Sequence, residues 1–195
     1  MSKNVDYKDE RKKSILNVPE AVEFVKQFKL KRLVEGRGHD CGGLLCDLYL
    51  RSVMFADYND DGWGGQPNIT FMSKDKETKL AKMLKDINFA QLMFDNGWKF
   101  IGTVDKIDFQ CQVEHLVETV SQLMRLDKIQ KKCKGRFIYG TDYWQKEVYW
   151  TGVKDLKVIS KPQLQRTYDD IKAKLKDGQK FYNTDEQLVQ LGIKI

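Results

Sequence analysis

Apolar positions along this chain recur with two different periods. Leu44, Cys46, Leu48 and Leu50 alternate with Leu45, Asp47, Tyr49 and Arg51, and Val53 to Tyr58 alternate again. That period of two is the mark of half-buried strands. Ile69-Thr70-Phe71 makes a third short strand after a glycine-rich loop, so a three-stranded antiparallel meander is the economical reading. Phe137-Ile138-Tyr139 and Glu147-Val148-Tyr149-Trp150 read as a paired hairpin, Trp98 to Val104 as a further strand and Leu156 to Ile159 as another. Phe181-Tyr182 is brief and extended.

The second period is helical. Ala21, Phe24, Val25 and Phe28 give one face to a short helix, with Asn17 as its cap, Pro19 in its first turn and Glu20 three residues after the cap. Ser73 caps a helix carrying Leu80, Met83, Leu84 and Ile87, which continues through Leu92 and ends before Gly97. At 100° per residue, Phe109, Val113, Leu116, Val117, Val120 and Met124 gather on one side of a longer helix from about Asp108 to Lys132. Gly135 ends that helix. Leu164, Tyr168, Ile171 and Leu175 mark another, closed by Gly178, and Thr184 with Gln187 forms a capping box for a last turn or two. Strands and helices are segregated rather than alternating, so the fold class is α+β, an antiparallel meander and hairpins packed with three or more amphipathic helices. The expected organisation is a flexible arm over 1–14 and one compact domain over 15–195.

Composition narrows the class without naming a function. Of 195 residues, 41% are hydrophobic and 11% aromatic, the make-up of a folded globular protein. No apolar run is long enough to span a bilayer, and Met1 to Lys13 is polar rather than a signal peptide, so a cytoplasmic protein with no membrane partner is expected. Cys41, Cys46, Cys111 and Cys133 then read as free thiols. The net charge of +6 permits an anionic partner. Its excess is uneven: Arg125, Lys128, Lys131, Lys132, Lys134 and Arg136 face only Asp127 within twelve residues. Lys26, Lys29, Lys31, Arg32 and Arg37 form an earlier basic group.

Four constellations carry candidate chemistry. Asp57, Asn59, Asp61 and Gly62 fall into D-x-N-x-D-G, the opening of a calcium loop, which places oxygens at its first, third and fifth positions and turns at a sixth-position glycine. The twelfth position is Asn68, which cannot supply the closing bidentate carboxylate, and strands flank the loop. The plain alternative is a turn in which Asp and Asn bond their own backbone. The same acids, with Asp47 and Asp60, offer ligands for magnesium and phosphoryl chemistry. His39, Cys41, Cys111 and His115, with Cys46, supply nitrogen and sulfur donors for zinc, although no C-x-x-C occurs. Cys41 beside His39 is a weaker candidate nucleophile. The glycines from Gly36 to Gly43 match neither G-x-G-x-x-G nor a Walker loop.

The fourth constellation is the basic segment Arg125 to Arg136 leading into Phe137, Tyr139, Tyr143, Trp144, Tyr149 and Trp150. Cations beside stacking rings suit single-stranded nucleic acid. The plainer reading is a solvated helix end, whose lysines complement the helix dipole, before a hairpin with core aromatics.

The run Asp47-Leu48-Tyr49-Leu50 followed by Asp60-Asp61-Gly62-Trp63-Gly64-Gly65 resembles a strand–loop pattern in small uncharacterised bacterial and bacteriophage proteins, and the basic helix end leading into Gly135-Arg136-Phe137-Ile138 is similar too. The resemblance implies no activity; it makes a role in modulating a host or defence factor conceivable. The resulting expectation is a non-catalytic binding protein without a cofactor. Its partner is a protein or a nucleic acid, contacted through Arg125, Lys128, Lys131, Lys132, Lys134, Arg136, Tyr143 and Trp144, with Trp63. The alternative is a divalent-metal enzyme acting on a phosphate ester or nucleic acid through the Asp57–Asp61 loop.

Overall fold

Antiparallel strands pair in sequence order β1-β2-β3-β4 at the N-terminal end of the chain: Phe28–Glu35 (β1), Leu44–Leu50 (β2), Val53–Asp60 (β3) and Asn68–Phe71 (β4). The computed structural model describes residues 14–36, 43–141, 148–150, 156–176 and 178–195. Helices occupy Pro19–Val25 (α1), Lys74–Asp86 (α2), Phe89–Met93 (α3) and Phe109–Cys133 (α4). A second, three-stranded antiparallel sheet has the order β6-β5-β7, from Ile138–Gly140 (β5), Val148–Trp150 (β6) and Lys180–Phe181 (β7). Lys161–Lys174 (α5) and Asp185–Gln190 (α6) complete an α+β fold. The expected arm over 1–14 lies, except for Ser14, outside the described residues.

The chain divides into two compact units, Met1–Leu123 and Met124–Ile195. Read as one domain over 15–195, the sequence carries no break there, because the division falls inside the continuous helix α4. In the first unit, Leu30 pairs with Leu48, Leu48 with Ala56 and Cys46 with Tyr58, which places these side chains on one buried sheet face. Phe24, Leu80, Leu84, Phe89, Val113, Leu116 and Val117 complete that core. The opposite face carries exposed Lys29, Lys31, Asn59 and Thr70, the half-wet condition that antiparallel sheets tolerate.

Several local expectations give way to packing. β1 is a fourth strand that the pattern hides: its outward residues are lysines, and a register shift between Lys31 and Val34 breaks its alternation. Asn17 does not cap α1; it lies in a 3-10 turn capped by Ser14, while α1 starts after Val18 with Pro19 in its first turn. The helix from Ser73 stops at Asn88, which takes a left-handed conformation (φ 52°) that asparagine tolerates better than most residues. Trp98 to Val104 is not a strand. Gly97 and Gly102 take positive φ and enclose a short 3-10 turn. Leu156 to Ile159 is also a 3-10 turn: it packs Leu156 and Ile159 together and leaves Val158 exposed, whereas a strand would have paired Leu156 with Val158.

The second unit is organised around Asn183. Phe137, Leu156, Leu164, Tyr168, Leu188 and Ile193 form its core, with Tyr168 stacked on Phe181 at 4.9 Å. The buried Asn183 side chain accepts from the Ile138 N–H at 2.9 Å. It donates to the carbonyls of Cys133 at 2.9 Å and Arg136 at 2.8 Å. One amide thus joins the end of α4, the turn after it and the first residue of β5. Gln130 adds bonds to the Tyr182 carbonyl and to Gln187, the residue that closes the capping box with Thr184 as expected.

Replacing Asn183 by Ala removes the bonds to a buried donor, a buried acceptor and a part-buried acceptor, which costs about 2–4 kcal/mol. Denaturant unfolding followed by fluorescence is expected to show that loss, with far-UV circular dichroism at zero denaturant unchanged.

Candidate functional site

The D-x-N-x-D-G spacing does not produce a cation loop. Asp57 and Asn59 lie within β3, opposite Asp47 and Leu45 of β2 and opposite Thr70 and Asn68 of β4. Their oxygens therefore belong to the sheet face, and only Asp61 onward forms the turn. There the Asp60 carboxylate accepts from the Gly62 N–H at 2.8 Å and the Asp61 carboxylate from the Trp63 N–H at 3.0 Å. Gly62 and Gly64 take positive φ, so the loop is a self-bonded aspartate turn. It presents Trp63, 67% exposed. Gly43 brings the start of β2 against this turn; a Cβ there would stand 2.6 Å from the Asp60 carbonyl oxygen.

Asp47 and Asp57 meet a partner that spacing could not reveal. Arg32 donates to Asp47 through Nε at 2.7 Å and through Nη2, and Nη2 also reaches Asp57 at 3.2 Å. Asp47 is only 4% exposed, and a carboxylate so covered persists because a two-pronged guanidinium compensates it. Arg32 sits at φ 48° in the β1 irregularity, the local twist that turns its side chain toward its neighbours across the sheet. The hydrogen bond from Arg32 holds the Asp47 carboxyl below the usual carboxylate range against the opposing effect of burial. The same bond raises the Arg32 guanidinium above its ordinary value. Beside this cluster, Lys31 Nζ lies 4.0 Å from the Tyr49 ring centre.

The thiols and the described histidine do not converge. His39 and Cys41 lie outside the described residues. Burial pushes Cys46 up to about 12 and Cys133 up to about 11, and it raises Cys111 as well. These are protonated thiols, poor ligands and poor nucleophiles. The His115 ring is covered by Phe89 at 6.2 Å and Trp98 at 5.3 Å. Its Nδ1 stands 3.6 Å from Glu118. Among the described residues, no three His, Cys, Asp or Glu side chains gather in a metal-binding arrangement.

The basic segment is gathered by helix geometry. Lys128, Lys131 and Lys132 stand three and four residues apart on α4, and all are exposed, as is Lys134 just beyond it. Ile129 and Cys133 occupy the opposite side and are buried. Arg125 and Arg136 flank the row and are half-buried. Tyr143 and Trp144 lie outside the described residues.

Comparison with models of protein families, with curated proteins and with solved structures finds no match to this chain. The comparisons therefore supply no family and no activity. Among the described residues, no helix is long and apolar enough to cross a membrane.

The Arg32 cluster has a pH signature. The folded Asp47 value lies below its unfolded one, so its contribution is fully present above about pH 4 and is lost as pH falls through the folded value. Arg32→Gln removes the guanidinium bond and its charge, leaving only the weaker pull of Lys31 against the effect of burial. Unfolding curves between pH 3 and 7 are expected to show lower stability at neutral pH and an acid transition moved to higher pH.

Proposed function

We propose that this protein is a non-catalytic binding protein that acts by contact with a polyanionic macromolecule through the cationic end of α4. The observation that carries the reading is the exposed row Lys128, Lys131, Lys132 and Lys134, opposed within the segment by Asp127. Three ammonium groups on one helix face, with a fourth just past the helix end, match a run of phosphates, and releasing the counterions of a nucleic acid makes such contact favourable at low salt. The helix dipole favours cations at this end but does not require four of them. The Asn183 bonds and the buried Ile129 and Cys133 hold the backbone beneath the row, so the charges rest on a rigid support. Arg125 and Arg136 flank the contact. Trp63 belongs to the other unit and is not needed for it.

The alternative, divalent-metal chemistry at Asp57, Asp60 and Asp61, gains no support from the way these acids are used. Asp57 turns to Arg32, and Asp60 and Asp61 each accept a backbone N–H. A metal would have to displace a guanidinium or unmake the turn.

Binding of a fluorescent single-stranded oligothymidylate, followed by anisotropy across a salt series, tests the reading. Lys131→Glu with Lys132→Glu is expected to weaken binding about tenfold or more and to reduce the log–log salt slope by about 1.4. Affinity and slope equal to those of the unmodified protein would reject this face as the contact.

A further inference from the structure

We infer that the edge of β4, which no strand among the described residues covers, is a docking site for an extended peptide segment of a partner protein, which adds to the first sheet as a fifth strand. The phase of the ladder fixes which backbone groups are available. The Met72 N–H bonds to the Phe55 carbonyl at 2.9 Å, and Thr70 and Asn68 stand opposite Asp57 and Asn59 in the same register. Bonded pairs alternate in an antiparallel ladder, so Thr70 and Asn68 turn their N–H and C=O groups toward β3. Ile69 and Phe71 turn theirs outward, two donors and two acceptors at the spacing an incoming strand requires.

The two edges of this sheet are treated differently. β1, at the far edge, carries Lys29 and Lys31 and the irregularity at Arg32, devices that discourage strand addition. β4 is Asn-Ile-Thr-Phe, with no charge and no register shift. It also opens onto a groove of about 530 Å3, bounded by Ser73, Lys74 and Glu77 of the α2 start and by Phe109, Gln110 and Val113 of α4. Phe71 stacks on Phe109 at 5.8 Å to make an apolar floor, while Lys74 and Glu77 pair with each other at 3.0 Å on the rim. Gln110 donates to the Pro67 carbonyl at 3.0 Å and fixes the entry to the strand.

An edge strand beside a helix-walled groove of mixed polarity with an aromatic floor selects its occupant by form. Main-chain bonds supply affinity, and every second side chain of the peptide falls on the floor. A nucleic acid offers no alternating donor and acceptor row of this kind, and a compact side chain alone would leave the four edge groups without partners. The occupant is therefore an extended peptide with apolar residues at alternate positions and no proline between them. This surface is independent of the lysine row and lies wholly within the first unit.

The test selects a random 12-residue peptide display library on the immobilised full chain and measures enriched synthetic peptides by anisotropy and amide hydrogen exchange. The expected result is peptides with alternating apolar residues whose binding slows exchange at the Ile69 and Phe71 amides and leaves those of Phe28 and Leu30 unchanged. Ile69→Pro removes one outward N–H without breaking the ladder to β3, and it is expected to weaken binding more than tenfold. The exchange measurement on the unmodified protein decides the matter if that variant does not fold. Failure to enrich any peptide overturns the inference. So does protection on the β1 edge instead, or protection of Ile69 and Phe71 by self-association in the absence of peptide.

Discussion

The second unit depends on a single buried amide. Asn183 is placed where α4 ends and β5 begins, and it satisfies one N–H and two carbonyls that the turn between them would otherwise leave buried and unbonded. A hydrophobic residue of the same size would offer none of the three groups a bond, and each buried group so deprived weighs against folding. With the turn fixed, Cys133 and Ile129 face inward, and the 3.6-residue period of α4 obliges Lys128, Lys131 and Lys132 to face outward. The cationic row is a consequence of how the helix is anchored.

The first unit solves a comparable problem with charge. Two carboxylates stand opposite one another on adjacent strands, a like-charge pair that destabilises a sheet unless it is compensated. Arg32 reaches both, and the irregularity in β1 that gives it this reach also blunts that edge of the sheet. The uncharged edge lies at the other end, along β4. Acids that looked like cation ligands are thus structural in two ways: Asp47 and Asp57 hold the sheet face, and Asp60 and Asp61 hold the turn.

What was legible in the residues follows from the range of each signal. The strands from Leu44 to Phe71, the long helix, the 138–150 hairpin and the Thr184 capping box rest on neighbours one to four positions apart, and all are present. β1 escaped because its alternation pairs Phe28 and Leu30 with lysines and then breaks at Arg32. Trp98 to Val104 and Leu156 to Ile159 carry the aromatic and branched residues that favour strands, while glycine geometry and i,i+3 packing decide otherwise. The role of Asp47 could not be read from spacing, because its partner lies fifteen residues away across a strand pair. The row of basic residues was visible as composition. Which of them are exposed required the buried Ile129 and Cys133 to set the helix face.

The central claim is that the end of α4 is the contact surface for a polyanion. Titration of the isotope-labelled chain with oligothymidylate, observed through backbone amide and lysine side-chain resonances, tests it most directly. The account predicts shifts concentrated at residues 125–136, strongest at Lys128, Lys131, Lys132 and Lys134 and lost at high salt. Shifts centred on the first sheet, or none at low salt, would contradict it.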